Sequence, residues 1–396
     1  MSFVGIYYSC VVTTEEEKTV IIHFIIIHFI IIHHQERRCE IMGKVKYGIV
    51  GFGGIAENRI AKEGFACDRT RFAPLEKAEL VAATDCNQTR KSAAEALGLK
   101  WYATQEAMFA DPEIQAVYVA TNNASHAAIA AAALKAGKHV IVEKPIATTI
   151  EDAAFLVKLA SEKHLSLSVD HMMVYNAWNR RAAELLASGT LGEVNDSCFH
   201  MEFAFGYDPA EAATWRCSNI AEMGGPIGDV ASHCFYMAEF IFGKRITKVA
   251  AVYLPKLMAI KAEDGAYIKF FFEDGTAGSV KAAFSELRGG LGGTLTNLGY
   301  EIYGSRSVLR GYGTMFQLSG HEDEPVRIRL ELDTLGKVET VEPCAIRNIY
   351  QSLIEHHASS VLEGKALNAE DALHNLKLCA ASHESARNNG ALTEVK

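Results

Sequence analysis

The stretch Tyr47-Gly48-Ile49-Val50-Gly51-Phe52-Gly53-Gly54-Ile55-Ala56 decides the fold. Tyr47 to Val50 reads as a buried strand, and a helix is expected after Gly54. Between them, Gly51 to Ala56 fits the pattern G-x-G-x-x-A. Gly51 permits a tight turn, Gly53 lets the backbone approach a pyrophosphate, and Ala56 keeps the following helix close to the sheet. Free N–H groups and the positive dipole end of that helix would meet the phosphates. The plainer reading of the same residues is a strand-to-helix turn of any α/β protein.

Context outward from the turn favours the dinucleotide reading. Glu79 to Thr84 is a second strand and ends at Asp85. A carboxylate there can accept hydrogen bonds from ribose hydroxyls and repels a 2′-phosphate, which favours NAD over NADP. Arg90 lies nearby and leaves NADP open. The gap from the glycines to Asp85 exceeds the usual ~20 residues, and an insertion around Cys67 to Lys77 is the expected cause. A helix over Gln88 to Leu97 follows, then a strand over Ala116 to Ala120. Next come a helix from Ser125 to Ala136 capped by Gly137, a strand over His139 to Val142, a helix over Ile150 to His164 and a strand over Leu165 to Val169. Alternating strands and helices, with apolar strands, predict a doubly wound parallel sheet over residues 43–171. The texture changes after Ala177. Val194 to Phe205, Lys248 to Tyr253, Ala266 to Phe272, Ala277 to Phe284 and Tyr300 to Tyr303 are strand-like, with Glu273-Asp274-Gly275 as a hairpin signal. Helices are expected over Asn348 to Leu362 and Ala369 to Arg387. Residues 172–396 therefore read as an α+β domain with a large, mainly antiparallel sheet.

A chain of 396 residues suits two such domains. Its formal charge of -9 provides no basic field for nucleic acid. Nine scattered cysteines without a C-x-x-C pair fit a reducing cytosol better than a disulfide framework. Residues 1–42 differ from the rest. The run Val20 to Ile32 is shorter than the roughly 20 apolar residues of a membrane helix and carries His23 and His28. We expect this segment to be dispensable, with no membrane partner.

Several residues stand where chemistry is plausible. Glu143-Lys144-Pro145 directly follows the strand His139 to Val142, and strand carboxyl ends are where ligands bind in such sheets. An ammonium there can stabilise a developing alkoxide. Asp229 and His233 are four apart after Gly224-Gly225-Pro226, with Pro226 suited to the first helical turn, so both should share a face. A near-neutral histidine suits proton transfer. By spacing alone the plainer reading is favoured: part of an ordinary amphipathic helix, or a metal pair without its third ligand. Thr121, Asn123 and His126 end one strand and open the next helix, Tyr175-Asn176 follow the last strand of the first domain, and Trp215-Arg216 precede the double glycine.

In this order, Gly51 to Ala56, Asp85, Glu143-Lys144-Pro145 and Gly224-Gly225-x-x-x-Asp229-x-x-x-His233 resemble the glucose–fructose oxidoreductase / inositol dehydrogenase / MocA-like (Gfo/Idh/MocA) family. The resemblance runs from Lys44 to the C terminus. It implies a Rossmann domain and a second domain whose open sheet packs on another subunit, as a homodimer or homotetramer. It implies that Gly51, Phe52, Gly53, Gly54, Ile55, Ala56, Asp85, Arg90, Thr121, Asn123, His126, Glu143 and Lys144 bind NAD, with NADP possible. Lys144, Tyr175, Asn176, Arg216, Asp229 and His233 would face a sugar or polyol. Lys144 and His233 would be catalytic, and Asp229 would orient His233 or bind a hydroxyl. In that scheme His233 takes the hydroxyl proton as hydride leaves the same carbon, Lys144 steadies the alkoxide, and no metal is needed. Two positions depart from the family pattern: Asn122 where proline is common, and Ala231 where glycine is. The alternatives are an NAD- and sugar-binding regulator, a redox-assisted glycoside hydrolase or lyase, and a metal-dependent polyol enzyme.

Overall fold

A computed structural model describes residues 43–286, 298–315 and 328–396; the expectations for residues 1–42 lie outside them. Two sheets organise the chain. The first comprises β1 (Val45–Val50), β2 (Ala78–Thr84), β3 (Lys100–Trp101), β4 (Ala116–Val119), β5 (His139–Val142) and β6 (Leu167–Val169). They run parallel in the order β3-β2-β1-β4-β5-β6. Strand order reverses between β1 and β4, and a crevice opens at their carboxyl ends. β1 and β4 are buried on both faces, which is why their sequences are nearly continuous apolar runs.

Local chemistry sets the helix starts. Asn122, Thr149, Asn176 and Asn348 each accept backbone N–H groups at a helix N-terminus. Helix Asn123–Lys135 ends before Gly137, whose φ of 79° suits glycine. Residues 67–77, the expected insertion, carry neither helix nor strand. A short helix over Gln105–Ala110 and a longer one over Ala177–Ala187 were not anticipated.

The second sheet holds β7 (Val194–Glu202), β8 (Ile246–Tyr253), β9 (Gly265–Phe272), β10 (Ala277–Ala283), β11 (Leu298–Gly304), β12 (Val308–Tyr312), β13 (Arg329–Thr334), β14 (Lys337–Val341) and β15 (Thr393–Glu394). Its order is β14-β13-β12-β11-β7-β10-β9-β8-β15, and every pairing is antiparallel except β7 with β10. Along β9, Ala266, Ile268, Phe270 and Phe272 point into the core while Tyr267 points out.

The C-terminal helices tie the sheets together. Helix Ile349–Glu363 lies on the first sheet, with the Tyr47 hydroxyl 2.6 Å from Nδ1 of buried His357. Helix Glu370–Arg387 lies on the second, where the Ser385 hydroxyl accepts the Ala251 N–H at 2.8 Å. Between them the chain extends the first sheet, as Leu167 N–H donates to the Leu367 carbonyl.

His357 shows what this docking implies for pH. Burial and nearby His139 depress its pKa to about 3, below the ordinary 6.5. The unfolded chain therefore binds a proton there that the native chain refuses, and stability falls as pH drops from about 6.5 toward 3. We expect the melting temperature to be level above neutrality and to decline below pH 6.5. His357→Gln should flatten that decline by up to ~1.4 kcal/mol per pH unit; an identical slope in variant and wild type would refute the assignment.

Candidate active site

The turn after β1 sits against β4. Gly51 has φ of 85°, and a Cβ there would lie 2.6 Å from the Ala120 carbonyl oxygen, so no other residue fits without moving β4. Gly53 and Gly54 face open space, with nothing within 4 Å of a built Cβ. The helix begins at Gly54 and continues over Ala56–Gly64 in wide π-type turns, with Ala56 buried against the sheet. Asp85, at the end of β2, receives the Phe52 N–H at 2.6 Å and the Asn87 N–H at 2.7 Å. Arg90 donates to the Phe52 carbonyl at 2.7 Å and pairs with Glu57.

A cleft of about 520 Å³ opens beyond this turn, between the two sheets. Of the expected residues, Gly53, Gly54, Ile55, Ala56, Thr121, Asn123, His126, Glu143, Lys144, Arg216, Asp229 and His233 line it. Lys144 comes from the end of β5. Its Nζ donates to the carboxylate Oδ1 and to the backbone carbonyl of Asp229, each at 2.7 Å. Arg216 Nε donates to the other oxygen, Oδ2, at 3.2 Å. Gly224 makes this approach possible: a Cβ there would fall 2.4 Å from the Trp215 carbonyl oxygen and 3.1 Å from that of Arg216. Asn123 Nδ2 holds the same loop through the Glu222 carbonyl at 2.8 Å.

Asp229 and His233 arise from one continuous helical stretch, but with π-type turns over Ile227–Ala231 ahead of helix Ser232–Phe242. They share the cleft without hydrogen bonding to each other. His233 Nδ1 instead lies 2.7 Å from the Tyr236 hydroxyl, while Nε2 has no hydrogen-bond partner among the described residues. Burial, then the nearby Lys144 charge, holds the His233 pKa well below 6.5, so the ring is neutral. Burial alone would raise the Asp229 carboxyl, but Lys144 and Arg216 outweigh it and hold it low, so Asp229 is ionised. His126 is buried, with Nδ1 2.8 Å from the Pro145 carbonyl oxygen, and its pKa is likewise lowered by burial.

Other expected residues do not reach this cleft. Gly51 and Phe52 are buried beneath the turn. Tyr175 bonds through its hydroxyl to His356 Nδ1 at 2.7 Å and lines a different cleft. Asn176 is buried, its side chain accepting the N–H groups of Trp178 and Asn179 as a helix cap. Cap chemistry took the residue that the resemblance had placed on substrate.

Two groups went unnoticed in the sequence. Asp170, directly after β6, lines the cleft fully buried; Tyr118 donates to its Oδ2 at 2.8 Å, and Oδ1 lacks a partner. Burial and the adjacent Glu143 charge push its carboxyl well above the ordinary range. Its place at a strand's carboxyl end was the available signal. The second group is an apolar wall: Phe203 and Phe205, at the end of β7, pack with Phe284 at centroid distances of 5.7 and 5.2 Å. Nothing in a strand pattern marks such residues as cleft-lining.

The first half of this site fits a dinucleotide. Open glycines before a helix start, first-turn N–H groups and a carboxylate at the end of β2 are the donor and acceptor set that a pyrophosphate and an adenosine ribose require. Among the described residues no third His, Cys, Asp or Glu joins Asp229 and His233 in a metal-holding group. No helix among them is long and apolar enough to cross a membrane.

Comparison with known proteins agrees. Residues 45–171 match the model of an oxidoreductase family with an NAD-binding Rossmann fold, and residues 179–310 match the Gfo/Idh/MocA C-terminal domain. A 1,5-anhydro-D-fructose reductase of Ensifer adhaerens is 29% identical over 214 residues, 54% of this chain and 61% of that protein. The match thus spans under two thirds of that relative's length. An aldose–aldose oxidoreductase from Caulobacter crescentus, solved with glycerol, superposes with a TM-score of 0.75 at 22% identity, covering 89% of this chain and 99% of its own. A levoglucosan dehydrogenase solved with NADH and levoglucosan gives 0.72 at 20% identity, covering 89% and 99%. With an NAD-binding Rossmann domain joined to the family's own second domain, the chain belongs to the Gfo/Idh/MocA oxidoreductases.

Proposed function

We propose that this protein interconverts a sugar or polyol hydroxyl and a carbonyl as an NAD(P)-dependent oxidoreductase. The observation that carries the reading is convergence: Lys144, Asp229 and His233, from two different sheets' connections, meet in the cleft that the glycine turn opens onto. When bound, the nicotinamide supplies the hydride acceptor or donor. The N–H groups around Gly53 and Gly54 would hold its pyrophosphate, and Asp85 its adenosine ribose.

The chain's own groups divide the remaining work. His233 presents an unpartnered Nε2 to the cleft and exchanges the hydroxyl proton there. Lys144 Nζ, anchored on Asp229, places a positive charge where an alkoxide would develop. Asp229 keeps Lys144 and Arg216 on station and offsets their charge. Hydrogen-bonding groups and the apolar Phe203 and Phe205 in one lining suit a polyhydroxylated ring with polar edges and an apolar face. Neutral sugars and polyols fit this mixture, and Arg216 spends its Nε donor on Asp229.

Lys144→Ala should lower kcat by about a hundredfold or more and change NAD affinity little, read by nicotinamide absorbance over a panel of inositols, aldoses and derived ketones. Equal losses in both would remove Lys144 from the chemistry. Cofactor choice follows from Asp85, and from Arg90 being held by Glu57 and the Phe52 carbonyl. Wild type should bind NAD more tightly than NADP, and Asp85→Ala should weaken NAD about tenfold while sparing NADP, measured by fluorescence titration. Tighter NADP binding by wild type would reverse the assignment.

A further inference from the structure

Asp229 is committed to Lys144 and Arg216, which leaves His233 to another partner. That partner is Tyr236, one helical turn on. Its hydroxyl lies 2.7 Å from His233 Nδ1, and the two rings meet edge-on at 71°. His171 stacks on Tyr236 from the other direction, with centroids 4.2 Å apart and planes 14° off parallel. Tyr236 and His171 line a second cleft of about 470 Å³, together with Tyr175, Glu239, Arg245 and His356. His233 belongs to the first cleft and Tyr236 to the second, so the His233–Tyr236 hydrogen bond joins the two.

This junction solves a problem the first cleft sets. A buried imidazolium beside Lys144 is unfavourable, so His233 is neutral at ordinary pH. A neutral histidine that takes a proton at one nitrogen must release one from the other to stay neutral.

We propose that His233 and Tyr236 form a two-membered proton relay between the substrate cleft and the second cleft. The inference rests on the oxidoreductase reading above. In the oxidative direction the substrate O–H bond breaks and its proton bonds to Nε2. The Nδ1–H bond breaks and that proton bonds to the Tyr236 oxygen, whose own proton passes to water in the second cleft. Both residues are neutral before and after, and the reverse sequence serves reduction. The relay moves protons only; the electron pair goes to the dinucleotide. Tyr236 acts through His233 and never meets substrate, and the His171 stack holds its ring in line.

Tyr236→Phe keeps the ring and its stacking but removes the relaying oxygen. We expect kcat to fall about a hundredfold, with KM and NAD affinity unchanged within about twofold. In H₂O/D₂O mixtures the wild-type rate should curve with deuterium fraction, as more than one proton moves, and the variant should be linear. A variant with wild-type kcat, or a linear wild-type plot, overturns the relay. A substrate-free arm uses ¹⁵N NMR of the His233 ring in the cofactor-free protein: a neutral ring whose Nδ1 resonance moves in Tyr236→Phe supports the bond, and an unmoved resonance overturns it. Should the variant not fold, the wild-type isotope plot still decides. A moved resonance in a protein that turns over no sugar or polyol strikes the oxidoreductase reading instead and leaves the hydrogen bond established.

Discussion

The contact between Lys144 and Asp229 is what makes one site out of two sheets. Both side chains are nearly buried, 13% and 8% exposed, and they come from the end of β5 and from the helix that enters the second sheet's layer. Removing two charges from water costs several kcal/mol each in practice, and their attraction repays it only with good geometry. Here the carboxylate accepts from Lys144 and Arg216 on separate oxygens, and the ammonium gains the Asp229 carbonyl as well. Such a pair is poor evidence for stability, since an apolar substitute of the same volume would do as well. It fixes where a positive charge sits at the mouth of β5, and that is a functional requirement.

The same pair dictates the protonation of its neighbours. Burial, and then the Lys144 charge, keeps His233 neutral, while the Lys144 and Arg216 charges overcome burial and keep Asp229 ionised. Asp170 lines the same cleft, where burial and Glu143 push its carboxyl well up. Two carboxyls in one cleft are thus shifted in opposite directions by environment alone, which is the pattern expected where proton transfer is required. His233 is thereby denied a permanent charge, and its tie to Tyr236 acquires its meaning.

How much of this was legible beforehand varied with the range of the interaction. The glycine turn, Asp85 and the lysine after β5 are local signatures, in which chain neighbours settle the conformation, and they stand where the pattern put them. Tyr175 and Asn176 looked like equals of Arg216 in sequence. Yet Asn176 caps a helix that was not anticipated, and Tyr175 turns to His356 on a helix 181 positions away. Asp170 carried a positional signal that could have been read. Tyr236 lay three residues past His233 on an expected helix, so its proximity could have been deduced, though not its hydrogen bond.

Sequence by itself determined the fold class, the cofactor-type turn and the inventory of reactive side chains, because each depends on periodicity or on residues a few positions apart. Only the tertiary structure decided who bonds to whom. The wide turns over Ile227–Ala231 and the crossing of residues 215–219 over Gly224 gave Asp229 to Lys144 and Arg216. That left His233 to Tyr236, and set Tyr236 against His171 at the boundary of a second cleft. Those pairings join residues up to 85 positions apart, where chain distance carries no information and packing decides.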